Sequence, residues 1–113
     1  MAEPTITQVF GAGATQTGSS IIVLKSDLEA VGLTPSASNT AESLLTAIFL
    51  IAKASLSQAN FESNPDQSIV IAPGFDSIVQ RTDSTGQTTS YRQNQFNINL
   101  HKLDSDTIDP DDY

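Results

Sequence analysis

The sequence predicts an α+β protein in which one long apolar helix packs on an antiparallel β-sheet. Three observations carry that expectation. The segment from Asn39 to about Asn60 has helical start signals and is apolar round most of its circumference. The chain after Asn64-Pro65-Asp66 breaks into short β-branched runs separated by turn residues. The order of a short helix, a long helix and then a strand meander places helix and sheet in separate layers.

From the N-terminus, Thr5-Ile6-Thr7-Gln8-Val9-Phe10 is rich in β-branched residues and reads as a strand. Gly11 to Ser20 is a flexible loop of small residues, without the bulk to build core. Ser20-Ile21-Ile22-Val23-Leu24-Lys25 is a short continuous apolar run, the pattern of a strand buried on both faces. Ser26 to Gly32 reads as one or two helical turns, capped by Ser26, with Asp27 and Glu29 near the start and Gly32 as the stop.

The main helix is predicted to start at Asn39, with Glu42 completing a capping box. At about 100° per residue, Glu42, Thr46, Lys53, Ser57 and Asn60 form a narrow polar stripe. Leu45, Ile48, Phe49, Ala52 and Leu56 form one apolar face, which the sheet is expected to cover. Leu44, Ala47, Ile51 and Ala54 continue round the other side, with Leu50 at the border of the stripe. These five, Leu44, Ala47, Leu50, Ile51 and Ala54, are the expected interface with another subunit or partner, because a helix this apolar needs cover on more than one side.

In the C-terminal half, strands are expected over Gln67–Ala72, Phe75–Thr82, Gln87–Arg92 and Gln95–His101. Pro73-Gly74 breaks the first from the second, and Asp83-Ser84-Thr85-Gly86 is a hairpin turn with Gly86 supplying the positive φ. Phe96, Ile98 and Leu100 alternate with Asn97, Asn99 and His101. The last ten residues hold five aspartates and are expected to form an acidic tail. Residues 1–103 therefore read as one domain and 104–113 as its tail.

Composition limits the functional classes. The chain has 113 residues, no Cys and a net charge of −8. Thiolate chemistry and disulfides are excluded, and the five scattered basic residues make no stripe for phosphates, so no direct nucleic-acid contact is expected. The near-continuous apolar run Leu44–Ala52 contains Thr46 and stops at Lys53, short of the roughly 20 residues that cross a bilayer, so no membrane partner is expected. The N-terminus lacks the basic and apolar regions of a secretory signal.

Reactive chemistry has little support. Gly11-Ala12-Gly13 lacks the third glycine of a dinucleotide loop, since Gln16 stands there. Asp104 to Asp109 lacks the central glycine and the closing glutamate of a calcium loop. His101, the sole histidine, falls on the polar face of the last strand, with no Gly-x-Ser-x-Gly nucleophile elbow elsewhere. Arg81 and Arg92 on the proposed hairpin read as ion-pairing residues for Asp76 and Asp83 or for a neighbouring subunit. The expectation is a non-enzymatic protein with no cofactor, no catalytic residues and no metal site.

The neutral segment Gly11-Ala12-Gly13-Ala14-Thr15-Gln16-Thr17, the Asn39-to-Leu56 helix and the β-rich half ending in Phe96-Asn97-Ile98-Asn99-Leu100 give the chain its texture. In that texture it resembles the small virion structural proteins of tailed bacteriophages. The resemblance implies an oligomeric capsid decoration (cement) protein that stabilises a shell through protein–protein contacts. Its implied partners are itself, for example as a homotrimer, and other virion proteins such as the major capsid protein. Its implied location is the virion, after assembly in the host cytoplasm. A tail, baseplate or head–tail component is the alternative within that class, and a small acidic adaptor binding one partner through the helix is the alternative outside it.

Overall fold

In the computed structural model, which describes residues 2–102 and 107–113, helices fill the first half of the chain and antiparallel strands the second. The elements are α1 (Ile6–Phe10), β1 (Thr15–Gln16), β2 (Ile21–Ile22), a 3₁₀ helix (Lys25–Val31), α2 (Ala41–Ser55), α3 (Gln58–Ser63), β3 (Ile69–Pro73), β4 (Ser77–Thr82), β5 (Thr88–Gln93) and β6 (Phe96–Leu100). A final 3₁₀ turn covers Pro110–Asp112.

The first element corrects the sequence reading: Thr5–Phe10 is a helix start and not a strand. Thr5 and Gln8 form a reciprocal capping box, with Gln8 N donating to Thr5 Oγ1 at 3.2 Å and Thr5 N to Gln8 Oε1 at 2.9 Å. Two satisfied backbone donors outweigh the weak β propensity of Ile6 and Val9. The Gly11–Ser20 segment is a pinned hairpin where a flexible loop was expected. Thr15–Gln16 pairs with Ile21–Ile22, and Gly13 N donates to Asp27 Oδ2 at 2.7 Å. A Cβ on Gly13 would collide with the Leu24 side chain and the Asp27 carboxylate. In the run Ile21–Leu24, Ile21, Ile22 and Leu24 are exposed and Val23 alone packs inward, against the Leu28–Leu33–Ala47 cluster, so the run is not buried on both faces. The Ser26–Gly32 turns are 3₁₀, preceded by Leu24 as N-cap and not by Ser26, and they stop at Gly32.

The long helix is divided. Thr40, not Asn39, caps α2, with Ser43 N donating to Thr40 Oγ1 at 3.1 Å. Asn39 instead closes the preceding loop through Thr34 O and Ser36 N. The helix stops at Ser55 because three groups compete for its last turn. Ile71 N donates to Leu56 O at 2.8 Å, Asn60 Nδ2 donates to Ser55 O at 2.9 Å, and Ser57 caps α3 by accepting from Asn60 N at 3.2 Å. Together Ala41–Ser63 has the length and apolarity of a membrane-crossing helix, at 23 residues and mean hydropathy 1.3. The break matters, since α2 alone has 15 residues and spans about 22 Å, against a hydrocarbon core of about 30 Å.

Two small clusters hold most of the buried side chains, with Val70 and Ala14 buried outside them. Leu28 and Leu33 pack on Ala47, flanked by Val23, Val31, Leu44, Ile48 and Ile51. Ala52 and Leu56 pack on Ile71, flanked by Val9 and Ile69. The expected covering of Leu45–Phe49–Leu56 by the sheet is met only at Leu56, because the ribbon meets α2 through β3 and through Phe96 at Lys53, both near the helix's C-terminal end. Buried Gln67 stitches the two halves, its Nε2 donating to Ile69 O at 2.8 Å and Ser57 O at 3.2 Å.

The strands do not form a sequential meander. β3 pairs with β6 and β4 with β5, giving two nested antiparallel ladders and one continuous two-stranded ribbon. Pro73 pairs with Phe96 and Ser77 with Gln93, so residues 74–76 face 94–95, three against two. This bulge is held by Gly74 N to Gln95 O (2.6 Å), Phe75 N to Gln95 Oε1 (3.0 Å) and Gln95 N to Asp76 Oδ1 (3.2 Å).

Of the expected acidic tail, Asp104 and Asp106 lie outside the described residues. The described part turns back in the 3₁₀ turn at Pro110–Asp112, with Lys102 Nζ 3.4 Å from Asp112 Oδ2. Tyr113 lines a cavity beside Val9, Leu56 and Ile69.

Replacing Gln67 with Leu removes the amide that bonds Ile69 O and leaves Ser57 O with only its Phe61 N donor. It is expected to lower unfolding stability by about 1–3 kcal/mol, measured by urea denaturation.

Candidate functional site

The five residues expected to form an interface occupy different surroundings. Ala47 is buried, and Leu44 and Ile51 pack beside it against Leu28 and Leu33 of the same chain. A partner reaching these three must first displace the 3₁₀ segment. Leu50 is half-buried and Ala54 exposed, and both line a shallow groove of about 430 Å³ with Val31, Lys53 and Ser57.

The free apolar face of α2 lies elsewhere. Leu45 is 51% and Phe49 37% exposed. They follow Glu42 at i+3 and i+7, which puts the three on one side of the helix. Lys53, one further turn on from Phe49, rests its ammonium 4.8 Å from the Phe96 ring centroid. That contact joins the helix face to the Phe96–Ile98–Leu100 face of β6, which is also exposed. The result is an apolar surface running from α2 onto the ribbon, edged by Glu42 and Lys53.

The second prominent feature is the β4–β5 arm. Eleven of its twelve strand residues are exposed and Val79 is half-buried. Opposed pairs face the same side. Val79 and Tyr91 therefore share one face with Arg81, whose guanidinium lies 5.5 Å from the Tyr91 ring centroid. The other face carries Ile78 and Arg92, then Gln80 hydrogen-bonded to Ser90 (2.8 Å) and Thr82 to Thr88 (3.0 Å).

The tip is rigid for a turn. Asp83 Oδ1 accepts from Thr85 Oγ1 (2.6 Å), Thr85 N (2.9 Å) and Gln87 N (3.0 Å), and Gly86 takes the positive φ of 85° that closes it. The Thr85 hydroxyl, followed by the Gln87 amide, holds the Asp83 carboxyl below its usual pKa.

Catalytic arrangements do not assemble among the described residues. His101 stacks on Phe61, with ring centroids 4.7 Å apart, and donates its backbone N–H to Ser68 O. No group of three or more His, Cys, Asp or Glu side chains within reach of one metal ion occurs among these residues. A polar cleft of about 310 Å³ lies between Pro4, Gln8, Asn60, Asn64 and Gln67, yet its amide groups are already engaged. Gln8 accepts from Thr5, Asn60 donates to Ser55 O, Asn64 to Ala2 O, and Gln67 to Ser57 O and Ile69 O.

Comparison with protein-family models, curated proteins and solved structures finds no match to this chain.

Because Asp83 has a lowered folded-state pKa, its contribution is present above the unfolded-state value and lost as pH falls through the folded one. The tip is expected to loosen as pH falls below the ordinary aspartate value of about 4, seen as lower protection of the Thr85 and Gln87 amides relative to their intrinsic exchange rates at each pH. Asp83→Asn should show the lower protection already at neutral pH.

Proposed function

We propose that this chain is a non-enzymatic assembly subunit that works by protein–protein contact. Its particular form, following the resemblance in texture, is a small virion structural protein of the capsid decoration type. It self-associates and seats on a larger shell protein. The observation that carries this reading is the imbalance of apolar surface. Among the described residues, five side chains larger than alanine are buried in the hydrophobic core, Leu28, Leu33, Leu56, Val70 and Ile71, whereas twelve large hydrophobic ones are exposed.

Size gives the same answer. A compact 12.0 kDa monomer exposes about 6,000 Å², and this chain exposes 8156 Å². The excess, about 2,000 Å², is comparable with a whole protein–protein interface. The radius of gyration is 17.0 Å, against about 13 Å for a compact chain of this length. Only 17% of the most apolar helical window is buried. Exposed apolar surface on this scale favours a contact role. The net charge of −8 disfavours contact with packaged nucleic acid.

Light scattering on the intact chain tests the reading. The parent is expected to elute as an oligomer. Leu45→Asp and Phe49→Asp are expected to lower its mass with an unchanged circular dichroism spectrum, whereas Ala47→Asp should unfold the subunit by burying an unpaired charge. A parent that is monomeric at all concentrations, or that floats with liposomes, would contradict the reading.

A further inference from the structure

We propose that the β4–β5 arm of one copy lies on the Glu42–Leu45–Phe49 face of a neighbouring copy, with Arg81 opposite Glu42 and Val79 and Tyr91 against Leu45 and Phe49. The inference rests on the assembly reading and names the surfaces that assembly uses.

The arm needs an occupant for its faces. An isolated two-stranded hairpin is marginal in water, and three strands or a packed helix are required for independent stability. The arm has neither within its own chain, since nearly all its residues are exposed. Yet it is shaped for contact, with a locked tip at Asp83 and a root fixed by Asp76 and Gln95.

Charge selects a second copy as that occupant. Ser77 to Gln93 contains Arg81, Arg92 and Asp83, a net charge of +1, so the remaining residues together carry −9. The arm is thus a locally basic element on an otherwise acidic protein, and the body of another copy is complementary to it. Neither arginine takes part in a salt bridge among the described residues, where Lys102–Asp112 supplies the ion pair.

The two surfaces also match in order. On the arm, an apolar pair, Val79 and Tyr91, sits beside the cation Arg81, which is held over the Tyr91 ring. On the helix, an apolar pair, Leu45 and Phe49, sits beside the anion Glu42. In such a contact each copy gives one arm and receives another, whether the assembly closes as a dimer or a ring.

Charge reversal with rescue tests this on the full chain. Arg81→Glu and Glu42→Arg are each expected to weaken self-association on the order of tenfold or more by light scattering across a dilution series. The double variant is expected to restore association, and raising salt should weaken the parent. Both positions are exposed, so the circular dichroism spectrum should not change. A parent that oligomerises while Arg81→Glu and Glu42→Arg associate unchanged would overturn the arm contact and leave the assembly reading standing. A parent that never oligomerises would overturn both.

Discussion

The joint at Leu56 and Ile71 is the constraint on which the rest of the structure depends. Leu56 O leaves the helical ladder to accept from Ile71 N, and both side chains enter one cluster with Ala52. This single crossing ends α2, sets the start of β3 and aims the ribbon. Ser57 and Gln67 reinforce it from either side, the first by opening α3 and the second by donating to Ile69 O and Ser57 O. Because the joint lies at the C-terminal end of α2, β3 cannot cover the helix's N-terminal half. The 3₁₀ segment covers that half from the Leu44–Ala47–Ile51 side only.

The exposed surfaces follow from this placement. With Ala47 facing Leu28 and Ala52 facing Ile71, Leu45 and Phe49 are left beside the polar stripe of Glu42, Thr46 and Lys53. Beyond the bulge at 74–76, the ribbon carries no apolar layer dense enough to fold back on the body. It extends instead, and the longest dimension of the molecule reaches 52 Å.

Much of this was legible in the residues. The helical period and the Asp83–Gly86 turn depend on local rules: the helix expected from Asn39 to about Asn60 forms over Ala41–Ser55, and Gly86 takes the expected positive φ. The capping box at Thr5 is also local, but the β-branched Ile6 and Val9 beside it carry the opposite, strand-like signal. Two features were beyond local reading. The period shows that α2 is apolar on most sides, but which arc its own chain covers depends on where β3 crosses. Likewise, four strands with turns between them suit a meander or a nested ribbon equally well, and the Gln95–Asp76 bonds that hold the ribbon's bulge join residues 19 apart. One signal for an uncovered arm was available: Ser, Thr and Gln occur on both faces of Ser77–Gln93, which no buried sheet face tolerates.

The most direct test of the central claim, that neighbouring copies complete this fold, is amide hydrogen exchange of Ser77–Thr82 and Thr88–Gln93 as a function of protein concentration. The account predicts that these amides, and the helix beside Leu45 and Phe49, gain protection together as concentration rises, while Leu28 and Ile71 stay protected throughout. Exchange in the arm that is independent of concentration would contradict it.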